Sequence, residues 1–267
     1  MVESMKFETL EIAVRDGVGV IWINRPGVRN AFNETMIAEL TQAFQAADAD
    51  PNLRAVVLAG RGPAFCAGAD LNWMKKMSGY SVDENRADAM GLALMMNTVY
   101  MMKKPTIARV HGAAFAGGMG LVAACDIALA AEEAEFCLSE VKLGLAAATI
   151  GPYVVAAIGE RHARRYFLTA ERFSAAEAFR IGLVHDIVPL AELDASVDAL
   201  VRHLLAASPA AIAASKELIR SVARGAIDQD MIADTAARIA AARASADGKE
   251  GIRAFLEKRK PSWTGPR

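Results

Sequence analysis

The amino-acid sequence predicts an α/β protein, in which a core of short strands and helices (1–190) precedes a helical region (191–267). Two observations predict the core. Polarity alternates on both sides of Asp16-Gly17, which is typical of a β-hairpin, and the short apolar run 55–60 is typical of a buried strand. One observation predicts the helical region: beyond residue 190 the Ala-rich sequence has helical patterns only.

The predicted hairpin is followed by a helix that begins at Asn33. Asparagine is a common cap of helix N-termini. The apolar residues after it recur at the i, i+3 and i+4 spacing of a helix face, as Met36, Ile37, Leu40, Ala43 and Phe44. Two further short apolar runs, 107–110 and 127–130, predict buried strands like the one at 55–60.

The second half of the sequence is predicted to be almost entirely helical beyond residue 150. Ser174 and Glu177 have the spacing of a capping box, and Gly182 stands where a helix C-cap is expected. Ser208-Pro209 predicts a break between two of the last helices. The longest apolar stretch, 143–159, is shorter than the ~20 residues of a membrane span and is predicted to be core.

Composition and charge exclude several classes of protein. Of the 267 residues, 54% are hydrophobic and 23% are charged, which excludes a disordered chain. A net charge of −1 argues against nucleic acid or a membrane surface as a partner. Cys66, Cys125 and Cys137 form no CxxC pair, so we expect reduced thiols and a cytoplasmic protein. The four histidines lack ligand spacing, so no metal site is expected.

Two glycine-rich segments, 62–71 and 111–120, are the strongest functional signal in the sequence. Each follows a predicted strand and precedes a predicted helix. Small residues let a ligand approach the backbone, and the first turn of a helix offers unpaired N–H groups. Two such turns can direct two N–H donors at one oxygen and so stabilise an enolate. Losing one such donor costs about 3–4 kcal/mol in other enzymes.

These segments have three other interpretations. Taken singly, each segment can be a plain turn. Gly118, Gly120 and Ala123 fit a G-x-G-x-x-A dinucleotide fingerprint, and Glu140 stands where a ribose-binding acid is found. The position in mid-chain and the absence of strand–helix alternation afterwards argue against it. A serine hydrolase is disfavoured because no serine stands in a G-x-S-x-G setting.

Together with other segments, these turns resemble the enoyl-CoA hydratase/isomerase (crotonase) superfamily nearly from end to end. The order and spacing of the segments carry the resemblance. They are Asn24-Arg25-Pro26 with Arg29-Asn30-Ala31, Ala64-Phe-Cys-Ala-Gly-Ala-Asp-Leu71, Lys104-Pro105-Thr106-Ile107-Ala108, His111-Gly112 to Gly120, Cys125-Asp126-Ile127, Phe136-x-x-Ser139-Glu140, Leu143-Gly144, Ser245-x-Asp247-x-x-Glu250-Gly251 and Phe255-x-Glu257-Lys258-Arg259.

The resemblance implies a crotonase-like spiral of ββα units with a C-terminal helical trimerisation region. The assembly it implies is a homotrimer or a dimer of trimers. It implies an acyl-CoA thioester as substrate and no cofactor beyond the CoA of that substrate. By resemblance, the oxyanion hole falls on the N–H groups of Ala69 and Gly117. Residues on the CoA and substrate path are Ala67, Ala69, Asp70, Leu71, Asn72 and Gly117.

Other site residues implied by the resemblance are less specific. Arg29 and Lys258 are candidates for the CoA phosphates, and an equally good interpretation makes them solvated surface charges. Trp73 and Met74 are predicted to wall the acyl pocket because they follow the first turn, although such residues are often plain core. His111 is expected to form hydrogen bonds rather than to catalyse.

The acid/base residue is predicted to be Glu140. Hydratases of this superfamily usually carry a second glutamate, and here that position is Gly120. The apolar neighbours of Glu140 are expected to raise its pKa. One glutamate alone is also the pattern of Δ3,Δ2-enoyl-CoA isomerases. Residues 136–145 and 160–172 resemble most closely the methylglutaconyl-CoA hydratase branch, so hydration is predicted and isomerisation is the alternative.

Two further hypotheses assign the chain to functional classes other than an active acyl-CoA enzyme. One is RNA binding. A relative of the methylglutaconyl-CoA hydratase type is linked with RNA binding, and the chain has a small cluster of basic residues, Arg161, Arg164, Arg165 and Arg172. The overall charge argues against it, and a solvated helix face or a subunit contact is the preferred interpretation of the cluster. The other is a catalytically inactive member of the superfamily, suggested by Gly120.

Overall fold

The computed structural model describes residues 2–223 and 225–264. The strands are β1 Leu10–Arg15, β2 Val18–Ile23, β3 Ala55–Gly60, β4 Thr106–Val110, β5 Ala113–Phe115, β6 Ile127–Ala131, β7 Glu135–Cys137, β8 Phe173–Ser174 and β9 Asp186–Val188. The helices are α1 Glu34–Ala49, α2 Leu71–Met77, α3 Val82–Met101, α4 Gly117–Ala124, α5 Gly151–Thr169, α6 Ala175–Arg180, α7 Leu193–Ala206, α8 Pro209–Val222, α9 Gln229–Ala244 and α10 Ala246–Leu256.

The strands form two sheets. Six of them follow the order β1-β2-β3-β4-β6-β9, in which only the β1–β2 hairpin is antiparallel. The second sheet has the order β5-β7-β8, with β5 parallel to β7. The predicted hairpin and the three predicted apolar strands are confirmed. The chain beyond residue 150 is almost entirely helical, as predicted, and its two strands, β8 and β9, are too short to show an alternating pattern.

Local capping follows the sequence in one helix and departs from it in another. Asn33 caps α1 by accepting a hydrogen bond from the Met36 N–H. Ser174 caps α6 by accepting one from the Glu177 N–H, at 3.3 Å. The reciprocal half of the predicted capping box is absent among the described residues, because the Glu177 carboxylate binds Tyr166 and Arg180 instead. A tertiary hydrogen bond from Tyr166 and an i,i+3 ion pair with Arg180 therefore replace the second half of the cap.

The larger sheet is buried on both faces. On one face a large cluster includes the apolar sides of α1, α3, α4 and α5. On the other, Leu193, Val197 and Val201 of α7 pack on β3, β4 and β6. Burying each such side chain contributes about 1.5–3 kcal/mol. By packing, α7 thus belongs to the strand core, although it lies beyond the predicted boundary between 190 and 191.

Helix α8 is fastened to the core by an ion pair in which the lysine is buried. Lys216 of α8 is 7% exposed, and its Nζ lies 2.6 Å from Oδ2 of Asp126. The same oxygen accepts hydrogen bonds from the N–H and hydroxyl of Thr106. Asp126 thus joins β4 to α8. Within 2–223 and 225–264 no single helix could span a membrane, and one pair bent by 104°, Leu190–Ala206 with Pro209–Val222, meets the length and composition criteria.

Candidate active site

The two glycine-rich turns lie side by side. The Phe65 N–H donates to the His111 carbonyl at 2.9 Å, and the Cys66 N–H donates to the Ala113 carbonyl at 3.0 Å. The Phe115 N–H then donates to the Cys66 carbonyl at 2.9 Å. Nε2 of His111 lies 2.8 Å from the Gly62 carbonyl oxygen, which is the hydrogen-bonding role expected of that ring. Segments far apart in sequence are thereby held in one register.

The first turn leaves the N–H of Ala69 without an acceptor. Phe32 donates its N–H to the Gly68 carbonyl at 2.7 Å and accepts the N–H of Asp70 at 2.8 Å, as in a parallel bridge. In such a bridge the groups of the middle residue point to the opposite side. The Ala69 N–H accordingly has no hydrogen-bond acceptor in the described part of the chain. It is available to a ligand.

The second turn presents the N–H of Gly117 in the same way. Gly117 is the first residue of α4, where helical N–H groups have no intrahelical partner, and none is found among the residues described. Ala116 before it adopts φ 48° and ψ −119°, a strained conformation for alanine. The hydrogen bond from the Ala116 N–H to the Cys137 carbonyl, 2.8 Å, anchors that residue. Neighbouring backbone thus holds the donor in place.

Close contact between the turns brings the two donors together. A Cβ placed on Gly68 would lie 3.3 Å from the Cβ of Ala116, and one on Gly118 would lie 2.5 Å from the Cys66 carbonyl oxygen. The residues just before these two N–H groups, Gly68 and Ala116, are therefore so close that Gly68 has little room for a side chain. Glycine at 118 is required because any side chain there would collide with backbone.

Glu140 lies at the same edge of the smaller sheet. β5 and β7 are parallel, so the turn after β5, which contains Gly117, and the segment after β7, which contains Glu140, leave the same edge. Oε2 of Glu140 is buried and has no hydrogen-bond partner within the described residues. Burial raises the pKa of this carboxyl above its usual 4.5. A buried, unpaired carboxylate oxygen with a raised pKa is suited to proton transfer.

Asp70 has a different role from that of Glu140, because both its oxygens are engaged. Oδ1 caps α2 by accepting the Asn72 N–H at 2.8 Å, and Oδ2 lies 2.9 Å from Nη2 of Arg25. Burial opposes ionisation of Asp70, but the Asn72 and Arg25 hydrogen bonds outweigh it and lower its pKa. Asp70 therefore holds the backbone beside Ala69 in place. Sequence reasoning missed Arg25 in this role, although the Asn24-Arg25-Pro26 segment contains it.

The position expected for a second carboxylate is closed. A Cβ on Gly120 would lie 2.2 Å from Cγ2 of Ile150 and 3.1 Å from Cε of Met96. Both are apolar side chains of the core. The structure thus places an isoleucine and a methionine where a second glutamate would need space.

This packing predicts that Gly120→Ala destabilises the protein. Its methyl group must displace Ile150, so the free energy of unfolding in urea is expected to fall by about 1–3 kcal/mol. Gly91→Ala is the matched control, because it also lies in a helix and its Cβ would meet only Cγ2 of Ile37, at 4.0 Å. That control is expected to gain up to about 1 kcal/mol from helix propensity. Equal stability of Gly120→Ala and the unmodified protein would contradict the packing.

The other residues on the implied CoA path lie around the first turn. Ala67 is half-buried, and its N–H donates to the carbonyl of Arg29 at 3.0 Å, so the exposed Arg29 adjoins the turn. Leu71 is 80% exposed, and Asn72 is exposed. Lys258 is also exposed, but no contact in the described ranges joins it to either turn. Within a single chain, therefore, the contacts of the described residues connect Arg29 to the site but do not connect Lys258 to it.

The two residues predicted to wall the acyl pocket differ in their surroundings. Trp73 is 6% exposed, belongs to the main core and donates its Nε1–H to Asp88 at 3.1 Å. Met74 is half-buried. Trp73 thus packs α2 against α3 as a core residue, and Met74 has the more open surroundings of the two.

Two alternatives from the sequence find no support in the geometry. Gly118 and Gly120 lie inside α4 and are covered by Cys66 and Ile150, which leaves no phosphate cradle there. In the arginine cluster, three of the four guanidinium groups pair with carboxylates. These pairs are Arg164 with Glu160, Arg165 with Glu171 and Arg172 with Glu135. The cluster is therefore largely neutralised, which disfavours RNA.

Known proteins are similar to this chain over almost its whole length. A sequence model described as Enoyl-CoA hydratase/isomerase matches residues 13–266. The chain is 33% identical to the crotonyl-CoA hydratase of Syntrophomonas wolfei over 261 residues, which cover 97% of this chain and 99% of that protein. It superposes on an enoyl-CoA hydratase from Shewanella pealeana with a TM-score of 0.95, 43% identity and 98% coverage of each chain.

A second solved structure, an enoyl-CoA hydratase from Mycobacterium smegmatis, has a TM-score of 0.90 and 36% identity, and covers 96% of this chain and 99% of that one. These similarities extend over almost the whole chain, and they confirm the crotonase-like α/β fold with its C-terminal helices. The chain accordingly belongs to the enoyl-CoA hydratase/isomerase family of the crotonase superfamily, and it is an enzyme of that family.

Proposed function

We propose that this enzyme adds water across the 2,3-double bond of an enoyl-CoA thioester, with Glu140 as its only acid/base carboxylate. The observation that carries the proposal is the buried, unpaired Oε2 of Glu140 at the sheet edge where the free N–H groups of Ala69 and Gly117 lie. Several relatives are named hydratases, which supports hydration as the type of reaction.

In the proposed mechanism the thioester oxygen accepts hydrogen bonds from both N–H groups. Negative charge that develops on this oxygen is stabilised by the two donors and by the positive end of α4. Glu140, ionised, takes a proton from water as the water oxygen bonds to carbon 3. The same carboxyl then delivers that proton to carbon 2 of the enolate. The sum is one molecule of water added, and Glu140 returns to its ionised form.

The proposal is tested with crotonyl-CoA in isotopically labelled water. We expect a 3-hydroxyacyl-CoA product with solvent oxygen on carbon 3 and solvent hydrogen on carbon 2. Because one carboxyl both deprotonates the attacking water and protonates carbon 2, we expect the new hydroxyl and the new hydrogen on the same face of the former double bond. Products without solvent oxygen, or no turnover of any enoyl-CoA, would refute hydration.

Isomerisation is a second candidate, favoured by the apolar cover over Gly120. The side chains of Ile150 and Met96 fill the space at Gly120, so no carboxylate is present at that position to hold a water molecule. In an isomerase Glu140 would take a proton from carbon 2 of a 3-enoyl-CoA and return it to carbon 4. Conversion of a 3-enoyl-CoA to the 2-enoyl isomer, without addition of water to crotonyl-CoA, would favour this candidate.

Binding of the CoA phosphates and self-association are part of the proposal. Arg29 adjoins the first turn and is the phosphate candidate within one chain, whereas Lys258 would have to reach the site from a neighbouring chain. We propose a homotrimer or a dimer of trimers. In support, the C-terminal helices and the loop between α8 and α9 expose large apolar residues, which are Ile219, Ile227, Ile232, Ile239, Ile252, Phe255 and Leu256.

A cytoplasmic location is also proposed, on the basis of the cysteines. All three are free thiols and are buried. Burial raises the pKa of Cys66 and Cys125 to about 12, so neither thiol ionises near neutral pH. Inert, unpaired thiols fit a reducing compartment.

A further inference from the structure

One core residue, Phe32, touches both turns that present the free N–H groups, the first with its backbone and the second with its ring. It is 2% exposed and lies two residues before α1, outside every segment assigned to substrate. Its backbone pairs with the first turn through the two hydrogen bonds that flank Ala69. Its ring faces the second turn, where a Cβ on Gly117 would lie 2.9 Å from Cε2 and 3.1 Å from Cδ2.

Each contact constrains one of the two donors. The Gly68 carbonyl and the Asp70 N–H are hydrogen-bonded to the backbone of Phe32. The N–H of Ala69, the residue between them, is therefore directed away from Phe32. Because the ring lies against Gly117, the first turn of α4 cannot move toward Phe32 without a collision. The backbone of this one residue therefore constrains the first donor, and its ring constrains the second.

We propose that Phe32 is a positioning residue that sets the width of the oxyanion hole formed by Ala69 and Gly117. This inference rests on the proposed function, since it concerns the same hole. Phe32 does not act on the substrate: it holds two donors at the separation that one thioester oxygen needs. A misplacement of about 1 Å in such a group can lower the rate by about 100-fold.

The test compares two phenylalanine substitutions of equal size. Phe32→Leu removes the ring that packs on Gly117 of the second turn, whereas Phe44→Leu removes an equally buried ring from α1, at a position whose backbone forms no hydrogen bond with either turn in the described structure. Both variants are expected to lower the melting temperature. Only Phe32→Leu is expected to lower kcat for crotonyl-CoA, by about 10- to 100-fold, with little change in KM. Rates are measured below both unfolding transitions.

A second readout does not require turnover. The absorption band of a conjugated enoyl-CoA shifts to longer wavelength when two N–H donors polarise its thioester carbonyl. We expect binding to the unmodified protein and to Phe44→Leu to give this shift, and binding to Phe32→Leu to give a smaller one. If Phe32→Leu does not fold, Phe32→Met is the second variant, because its flexible side chain adapts to the gap but lacks the rigid ring, and the same two losses are expected.

The outcomes separate the inference from the proposed function. Equal kcat in Phe32→Leu and Phe44→Leu, or an undiminished band shift in Phe32→Leu, would overturn the positioning role while leaving the hole itself intact. No band shift and no turnover in the unmodified protein would refute the proposed function, and the inference with it. A kcat loss and a smaller shift in Phe32→Leu alone would support both.

Discussion

Replacing Glu140 by glutamine is expected to lower kcat for crotonyl-CoA by about 10²–10⁴-fold, the usual contribution of a positioned acid/base group. Glutamine has nearly the same shape but neither accepts nor delivers the proton. Because the Ala69 and Gly117 donors are backbone groups, CoA-thioester binding and the band shift of a bound conjugated enoyl-CoA are expected to persist. Steady-state kinetics and a binding titration on the same preparation measure both effects.

The matched control for this substitution is Glu133→Gln. Glu133 is an exposed glutamate on the connection between β6 and β7, away from the turns. It is expected to leave kcat unchanged. If Glu140→Gln retained the activity of that control, Glu140 would lose its assigned role and the proton would have to pass through another group.

Glu140 is also expected to govern the acid side of the pH profile. Hydration begins with the ionised carboxylate, and burial raises the pKa of Glu140 above 4.5. As pH falls through that raised value, kcat is expected to fall, at a pH higher than an exposed glutamate would give. A profile of kcat against pH checks this. A profile that stays flat down to pH 4.5 would contradict it.

The same burial predicts an effect on stability with the opposite trend in pH. Between 4.5 and the raised pKa the folded protein holds a proton that the unfolded chain has released, so stability contributed by Glu140 is lost as pH rises through this window. Above the window the folded protein contains a buried, unpaired charge. Glu140→Gln is therefore expected to have the higher melting temperature at neutral pH, and the difference is expected to shrink in acid.

Removing the N–H of Ala69 is expected to have the second large effect. Ala69→Pro has no N–H to donate, and kcat is expected to fall by about 10²–10³-fold, the cost of losing one oxyanion-hole donor. Since that N–H has no acceptor in the described part of the chain, the substitution breaks no hydrogen bond of the fold. The band shift of a bound conjugated enoyl-CoA is expected to decrease in parallel.

Two measurements make the Ala69→Pro result interpretable. Circular dichroism and thermal unfolding establish that the variant is folded, and CoA binding establishes that the CoA path is intact. Ala69→Gly, which keeps the N–H, is expected to lose far less activity than Ala69→Pro. Similar losses in the two variants would show that the side chain or the loop conformation matters at this position, and not the donor.

Elements with a strong local pattern were predictable. The β1–β2 hairpin follows from alternation around Asp16-Gly17, and α1 follows from Asn33 and the apolar spacing after it. β8 and β9 were not, because strands of two or three residues are too short for a periodic signal and exist only by pairing with β7 and β6. The partners of Glu177 were missed because a nearby tyrosine and arginine compete with the local cap.

In the candidate site, the sequence and its resemblance to the superfamily predicted roles for Glu140 and the two turns, but none for Arg25 or Phe32. Arg25 acts through a buried ion pair with Asp70, and the sequence contains no periodicity or spacing that links the two. Phe32 acts through its ring against Gly117 and its backbone beside Ala69. An isolated phenylalanine before a helix is indistinguishable in sequence from any other core residue.

The sequence by itself determined the types of residue on which the proposed chemistry depends: glycine-rich turns before helices, and one glutamate with a glycine at the position that resemblance gives to a second carboxylate. Only the tertiary structure decided that the two turns share a register, that the donors of Ala69 and Gly117 have no acceptor in the described residues, and that Ile150 fills the space at Gly120. The physical reason is that capping and periodicity act between near neighbours in the chain, whereas hydrogen-bond partners and packed volume depend on which distant segments meet.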